Sequence, residues 1–232
     1  MITMTALLAG AVFAPKIEDY VQKNLKDATF VAKKVKSVQR ELQKINDDFG
    51  MSYRFDTIKF SYKEPFKLRL EAKVEETSAL YLINGTTQVF RVPRLKVNTK
   101  QSLANAPGRR QTPLDFGVLT PAMFDGFMDA KFVRVDRATG AQVFDITYAN
   151  SDDTSRHRIW VDGEKGITIR REWYKQNGQQ QATFFYESPQ KAEGVWVPTR
   201  MTVKNNDDKV AGITEYSAIR INQNLPDSLF EL

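Results

Sequence analysis

Cysteine is absent from this 232-residue chain, and histidine occurs once, at His157. Without cysteine there is no disulfide, thiol nucleophile, iron–sulfur cluster, thiolate zinc site or lipid-modified N-terminal cysteine. One histidine excludes any multi-histidine metal centre. No phosphate-cradling glycine loop or dinucleotide fingerprint occurs, and no acidic cluster has the spacing of a carboxylate cation loop. The acids nearest His157, Asp152 and Asp153, sit in the polar turn Asn150–Ser155, and Asp207-Asp208 lies in another turn. His157 therefore reads as a strand-edge histidine, and the expectation is a non-enzymatic protein with no metal and no cofactor. The longest uncharged run, Met1 to Pro15, is shorter than the roughly 20 apolar residues of a membrane-spanning helix. Bases exceed acids by only 34 to 28, and most charges alternate along strand-like segments rather than gathering on one face, so nucleic acid is not an expected partner.

Apolar bulk is plentiful: 15 Phe, 8 Tyr and 3 Trp within a 41% hydrophobic composition can fill a normal core without staples. Ala6-Leu7-Leu8 followed by Ala9-Gly10-Ala11 resembles the apolar segment and small-residue cleavage site of an export signal, short and lacking a preceding base. Residues 1–14 are read as a remnant of such a signal or a mobile N-terminus, and residues 15–232 as one domain. Residues 16–27 carry Ile17, Tyr20, Val21 and Leu25 at helical spacing, which predicts a short amphipathic helix. Residues 28–46 fit either a helix stripe or a long strand. From Tyr53 onward the period is two. Phe66, Leu68, Leu70, Ala72 and Val74 alternate with charged residues, and Asn84-Gly85 closes a hairpin.

Strand-like runs separated by turn signals continue from Phe132 to Ile221, and so many short antiparallel strands in one sheet must curl, close or split. A curved sheet has a concave face, and sequence alone leaves open whether that face is a cavity or a filled core. Its predicted lining is Phe66, Leu68, Leu70, Ile169, Trp173, Phe184, Tyr186 and Val197. Between Pro93 and Thr120 strand signals are few and bases concentrate: Arg94, Lys96, Lys100, Arg109 and Arg110 precede the first acid, Asp115. This stretch reads as a solvated loop or as a contact to an anionic membrane surface or protein partner. Pro121 to Asp129 then predicts a helix with Met123, Phe124, Phe127 and Met128 on its apolar side, either core or a movable lid over the ligand.

The segments Lys63–Arg69, Leu82–Gly85, Arg156–Asp162, Arg170–Tyr174 with Asn177-Gly178, Gly194–Arg200 and Leu225–Phe230, in that order, resemble the outer-membrane lipoprotein-sorting protein superfamily, the LolA/LolB-like proteins, from about residue 28 to the C-terminus. The resemblance implies a mainly β fold with few helices. Its strongly curved antiparallel sheet forms an unclosed barrel, covered by short helices and a long loop. It implies a monomeric periplasmic or cell-envelope carrier or sensor that binds acyl chains of lipid or lipoprotein in an apolar cavity. It also implies a first long strand at residues 28–46, and a lid tied by an arginine shortly after a proline in an early strand. Arg69, after Pro65, is the matching position, although alternation sets it opposite Leu68 and Leu70. An envelope-associated binding or scaffold domain with a filled core is the alternative, and an enzyme acting on an envelope polymer comes third.

Overall fold

The computed structural model describes residues 14–74 and 76–232. The export-signal expectation falls almost wholly on residues outside that range. The strands in chain order are β1 (Asp27–Ser37), β2 (Thr57–Lys63), β3 (Lys67–Val74), β4 (Thr77–Asn84), β5 (Thr87–Val92), β6 (Val97–Ser102), β7 (Met128–Val135), β8 (Gln142–Tyr148), β9 (Arg156–Asp162), β10 (Ile167–Tyr174), β11 (Gln180–Glu187), β12 (Gln190–Ala192), β13 (Val195–Val197), β14 (Arg200–Asn205) and β15 (Val210–Ile221). Two helices, α1 (Gln39–Ile45) and α2 (Asp47–Ser52), follow β1. Thirteen strands form one sheet in the order β6-β5-β4-β3-β2-β1-β15-β14-β11-β10-β9-β8-β7, and β12 and β13 form a small separate ribbon.

This order follows from the turn chemistry. Each hairpin places the next strand beside the last, giving one meander from β1 to β6 and a second from β7 onward, and the last strand, β15, returns to pair with β1. Register shifts in β1, β7, β10, β11 and β15 are bulges, which bend strands and curve the sheet. The edges β6 and β7 do not pair with each other, so the barrel stays open. Lys100 on one edge and Lys131 and Arg134 on the other discourage further strand addition. The connection from β6 to β7, residues 103–127, crosses the concave side between them.

The concave face collects one parity of side chain from each strand. Ala28, Phe60, Tyr62, Leu68, Ile83 and Tyr216 meet there under Leu103 and Val118 of the connection. Helix α1 buries Leu42 and Ile45 against Ala182, Phe184, Tyr186 and Val203 at another part of that face. The convex face of β3–β5 is covered by the chain end, where Leu225, Leu229 and Phe230 pack on Leu82 and Val89.

Some expected elements differ. The helix expected at 16–27 is a single 3-10 turn, Ile17–Asp19, because isolated short helices are marginal and this segment instead lies against the β6–β7 connection, with Gln22 N–H donating to Leu119 O at 2.8 Å. Residues 28–46 divide into the strand β1, paired on both sides, and the helix α1. The helix expected at Pro121–Asp129 is a 3-10 turn, Pro121–Phe124. Gly126, at φ +73°, ends the turn, and Met128 already belongs to β7. Within the expected loop, Val97–Ser102 is the edge strand β6.

Candidate functional site

The connection 103–127 is held on the sheet as three 3-10 turns, Pro107–Arg109, Pro113–Phe116 and Pro121–Phe124, each begun by a proline whose fixed φ suits the first helical position. The middle turn carries a capping box, Thr112 with Asp115. From it Phe116 enters the concave face. Its ring meets Phe60 edge-on at 4.7 Å, Phe30 at 5.1 Å and Tyr216 at 6.1 Å, while Phe30 and Phe60 stack at 4.7 Å. Aromatic pairs at these separations add to the burial itself. Around Phe116 remains an apolar void of about 40 Å³, bounded by Phe30, Tyr62, Pro113, Val118, Tyr216 and Ile221 among others. Such a void admits a few water-sized groups at roughly 10–15 Å³ each. Phe116, itself half-buried, therefore occupies much of the space over this part of the concave face.

Backbone bonds fasten the two ends of the connection, Leu103 N–H donating to Thr86 O at 2.7 Å and Ala149 N–H to Phe127 O at 3.0 Å, and further polar ties hold its middle. Tyr186 donates its hydroxyl proton to Leu114 O at 2.9 Å. Thr168 N–H donates to Gly117 O at 2.9 Å, next to a strand-like bridge between Val118 and Ile167. Gln22 holds Leu119 as noted above. Arg171, on β10, donates from Nη1 to Asp115 Oδ1 at 2.7 Å. Arg171 is 5% exposed, and its guanidinium lies 4.1 Å from the centre of the Phe184 ring. Burial works to lower its pKa, but Tyr186, Asp115 and Tyr148 around it outweigh that and leave it above the usual arginine value. Burial pushes the hydroxyls of Tyr148 and Tyr186 well up.

His157 borders this group. Its Nε2 lies 3.3 Å from Tyr148 Oη, its Nδ1 has no partner among the described residues, and burial, with Arg171 close by, holds its pKa well below the usual histidine value of 6.5. The folded protein thus binds no proton at His157 where the unfolded chain does. Stability is expected to fall as pH drops below about 6.5, by at most about 1.4 kcal/mol per pH unit. Because His157 is the single histidine, His157→Gln should remove that slope between pH 5 and 7 in urea denaturation. An unchanged slope would assign the acid sensitivity elsewhere.

The structure distributes the sequence-predicted residues unevenly. Leu68 and Val197, with half-buried Leu70, lie in the central concave cluster. Phe184 and Tyr186, with Trp173, pack under α1 and α2. Met123 is fully buried, with Phe66, Phe124 and Phe127 packed around that cluster. Phe124 also borders a separate open groove of about 390 Å³ with Val21 and Pro121, flanked by Glu18, Lys23 and Asp125. Ile169 is a correction: it lies on the convex side against Trp160, because a bulge between Thr168 and Arg170 reverses the alternation. Arg69 is another. It donates to Leu229 O at 3.1 Å and pairs with Glu71 at 2.9 Å, so it fastens the C-terminal segment on the convex face and not the connection.

Of the basic stretch, Arg94, Lys96, Lys100 and Arg109 are exposed. Arg110 is not part of that surface. Its guanidinium is folded in 3.8 Å from the Phe66 ring centre and 4.6 Å from that of Phe127, and burial lowers its pKa to about 10. Sequence reading missed Phe30, Phe60, Phe116, Asp115 and Arg171. One signal for the last was present: two adjacent arginines on a strand, Arg170-Arg171, must point to opposite faces, so one of them enters the interior.

An unclosed antiparallel half-barrel whose concave face is covered by the β6–β7 connection is the LolA-like fold, and this chain has it. Solved structures bear this out along nearly the whole length. A domain assigned as an outer membrane lipoprotein-sorting protein from Vibrio parahaemolyticus superposes with a TM-score of 0.61 at 13% identity, covering 93% of each chain. A LolA superfamily protein from Nitrosomonas europaea gives 0.58 at 15% identity, covering 93% of this chain and 94% of its own. A DUF1329 family protein from Desulfovibrio piger gives 0.56 at 13% identity, with 93% and 92% covered. A family model described as "Uncharacterized protein" matches residues 128–232. No curated protein sequence matches the chain.

Proposed function

We propose that this protein is a non-enzymatic acyl-chain carrier or sensor of the periplasm or cell envelope, and that cargo enters the concave face when residues 103–127 swing away and withdraw Phe116. The observation that carries this reading is that an apolar, aromatic-lined concave face is filled by a side chain from a connection rather than by a second sheet or a long helix. Each methylene buried there contributes about 0.8 kcal/mol, so a chain of about ten methylenes gives roughly 8 kcal/mol, more than the roughly 1.5–3 kcal/mol of a buried phenylalanine side chain and enough to offset its aromatic contacts as well. Similar folds named for lipoprotein sorting support the cargo class. The small size of the void supports the second reading, a scaffold domain whose interior is permanently filled.

Titration with a fluorescent fatty acid, together with hydrogen exchange, separates the two. A carrier binds the probe, and amides at 112–120 exchange faster than those of the central strands β1 and β15. A scaffold binds nothing and protects both regions alike. Native mass spectrometry of protein purified without added lipid gives a second readout, an apolar mass that accompanies the carrier.

The exposed bases Arg94, Lys96, Lys100 and Arg109, beside Leu95 at 67% exposure, suit contact with an anionic membrane surface during loading or release. Replacing all four by Gln is expected to weaken binding to phosphatidylserine vesicles by about fivefold per charge at low salt, and added salt should reduce the difference. Arg110→Gln should leave vesicle binding unchanged. Equal binding by the four-fold variant would reduce the stretch to a solvated surface.

A further inference from the structure

Arg171, a cation buried to 5% exposure, is answered by a residue that the proposed opening would take away. Asp115 directly precedes Phe116 in the turn Pro113–Phe116, so whatever withdraws the ring from the aromatic pocket also withdraws the carboxylate from Arg171. A guanidinium left unpaired at 5% exposure is strongly disfavoured. A neutral chain restores the packing that Phe116 supplied but leaves this charge alone. An amphiphile with an anionic head replaces both neighbours together, its tail in the place of Phe116 and its head in the place of Asp115.

Arg171 is also under-used in the closed state. Asp115 accepts from Nη1, while the buried Nε of Arg171 has no partner among the described residues. Asp115 is limited by the turn that holds it. A carboxylate free of that backbone can accept from Nε and a neighbouring Nη in the two-point arrangement that guanidinium and carboxylate geometry favours. Phe184 beneath the guanidinium and the hydroxyls of Tyr148 and Tyr186 close by supply the rest of a built head-group site, part apolar and part polar. Neutral His157 adds no competing charge.

We infer that Arg171 is the head-group site for a carboxylate amphiphile, a fatty acid, which opens the protein by displacing the Asp115–Phe116 pair. The inference rests on the carrier reading above and narrows its cargo to a carboxylate-bearing chain. It makes opening an exchange of one carboxylate for another, so the buried cation is never left bare.

Myristate and its neutral analogue 1-tetradecanol, titrated separately against the full chain by tryptophan fluorescence at pH 7.5, test it. Myristate is expected to bind at least tenfold more tightly than tetradecanol. Asp115→Asn, which releases Arg171, should tighten myristate severalfold. The double variant Arg171→Gln/Asp115→Asn, which leaves no unpaired charge inside, should bind the two ligands alike. Equal affinities in the unaltered protein, or a myristate preference that persists in the double variant, overturns the head-group site while leaving the carrier reading intact. Failure of the unaltered protein to bind either ligand removes both. Should the double variant not fold by circular dichroism, Asp115→Asn decides alone: unchanged or weaker myristate binding overturns the site.

Discussion

Asp115→Ala is expected to cost up to about 3 kcal/mol, the low end for removing one partner from a buried ion pair, because the Asp115 side chain is 29% exposed. The other partner, Arg171, has a side chain only 6% exposed and would be stranded against the Phe184 ring. The loss should be read from urea denaturation with the slope compared between variants, because part of it is expected to appear as opening of residues 112–120 rather than as global unfolding. Arg171→Met combined with Asp115→Ala should recover most of the stability, since no charge then remains inside. A loss below about 1 kcal/mol for Asp115→Ala would place the pair in the class of solvated surface bridges, too weak to fasten the connection.

The second large effect is expected at Gly117, which follows Phe116 and ends its turn at φ +76°. A Cβ there would stand 2.7 Å from Tyr186 Cγ and 2.9 Å from Pro198 Cγ, closer than real contacts allow. Left-handed backbone costs a residue with a side chain about 1–2 kcal/mol, and overpacking adds about 1–3 kcal/mol. Gly117→Val is therefore expected to unseat the connection at a cost of roughly 2–5 kcal/mol. The concave face would be bared, and the dye anilinonaphthalene sulfonate should bind to folded protein. Gly178→Ala is the control. Gly178 has φ +79° but nothing within 4 Å of the added Cβ, so it tests the backbone cost alone. Comparable losses in the two variants would show that the fit of Gly117 against Tyr186 contributes little.

Both effects concern residues whose role is invisible in local sequence. Asp115 reads there as the first acid after a run of bases, and Phe116 as one of many aromatics. The hairpins, by contrast, were legible: Asn84-Gly85 does join β4 to β5 with Gly85 at φ +61°, and strand parity along β3 does set Leu68 and Leu70 against Lys67, Arg69 and Glu71. Arg69 shows the same parity rule correcting an analogy, since the face that alternation assigned to it is the convex one on which it fastens Leu229.

What the sequence by itself determined is the meander and its faces, because turn residues act over a few positions and side-chain direction in a strand has a period of two. Where the alternation slips, as at Ile169, the cause is a bulge, and bulges arise from how neighbouring strands must bend to share one curved sheet. Only the tertiary structure decided what closes the concavity. The ring of Phe116 seated on Phe30 and Phe60, and the carboxylate of Asp115 on Arg171, join residues from strands far apart in the chain. Their partners are chosen by the depth and polarity of the space that the finished sheet leaves, and no window of sequence contains that space.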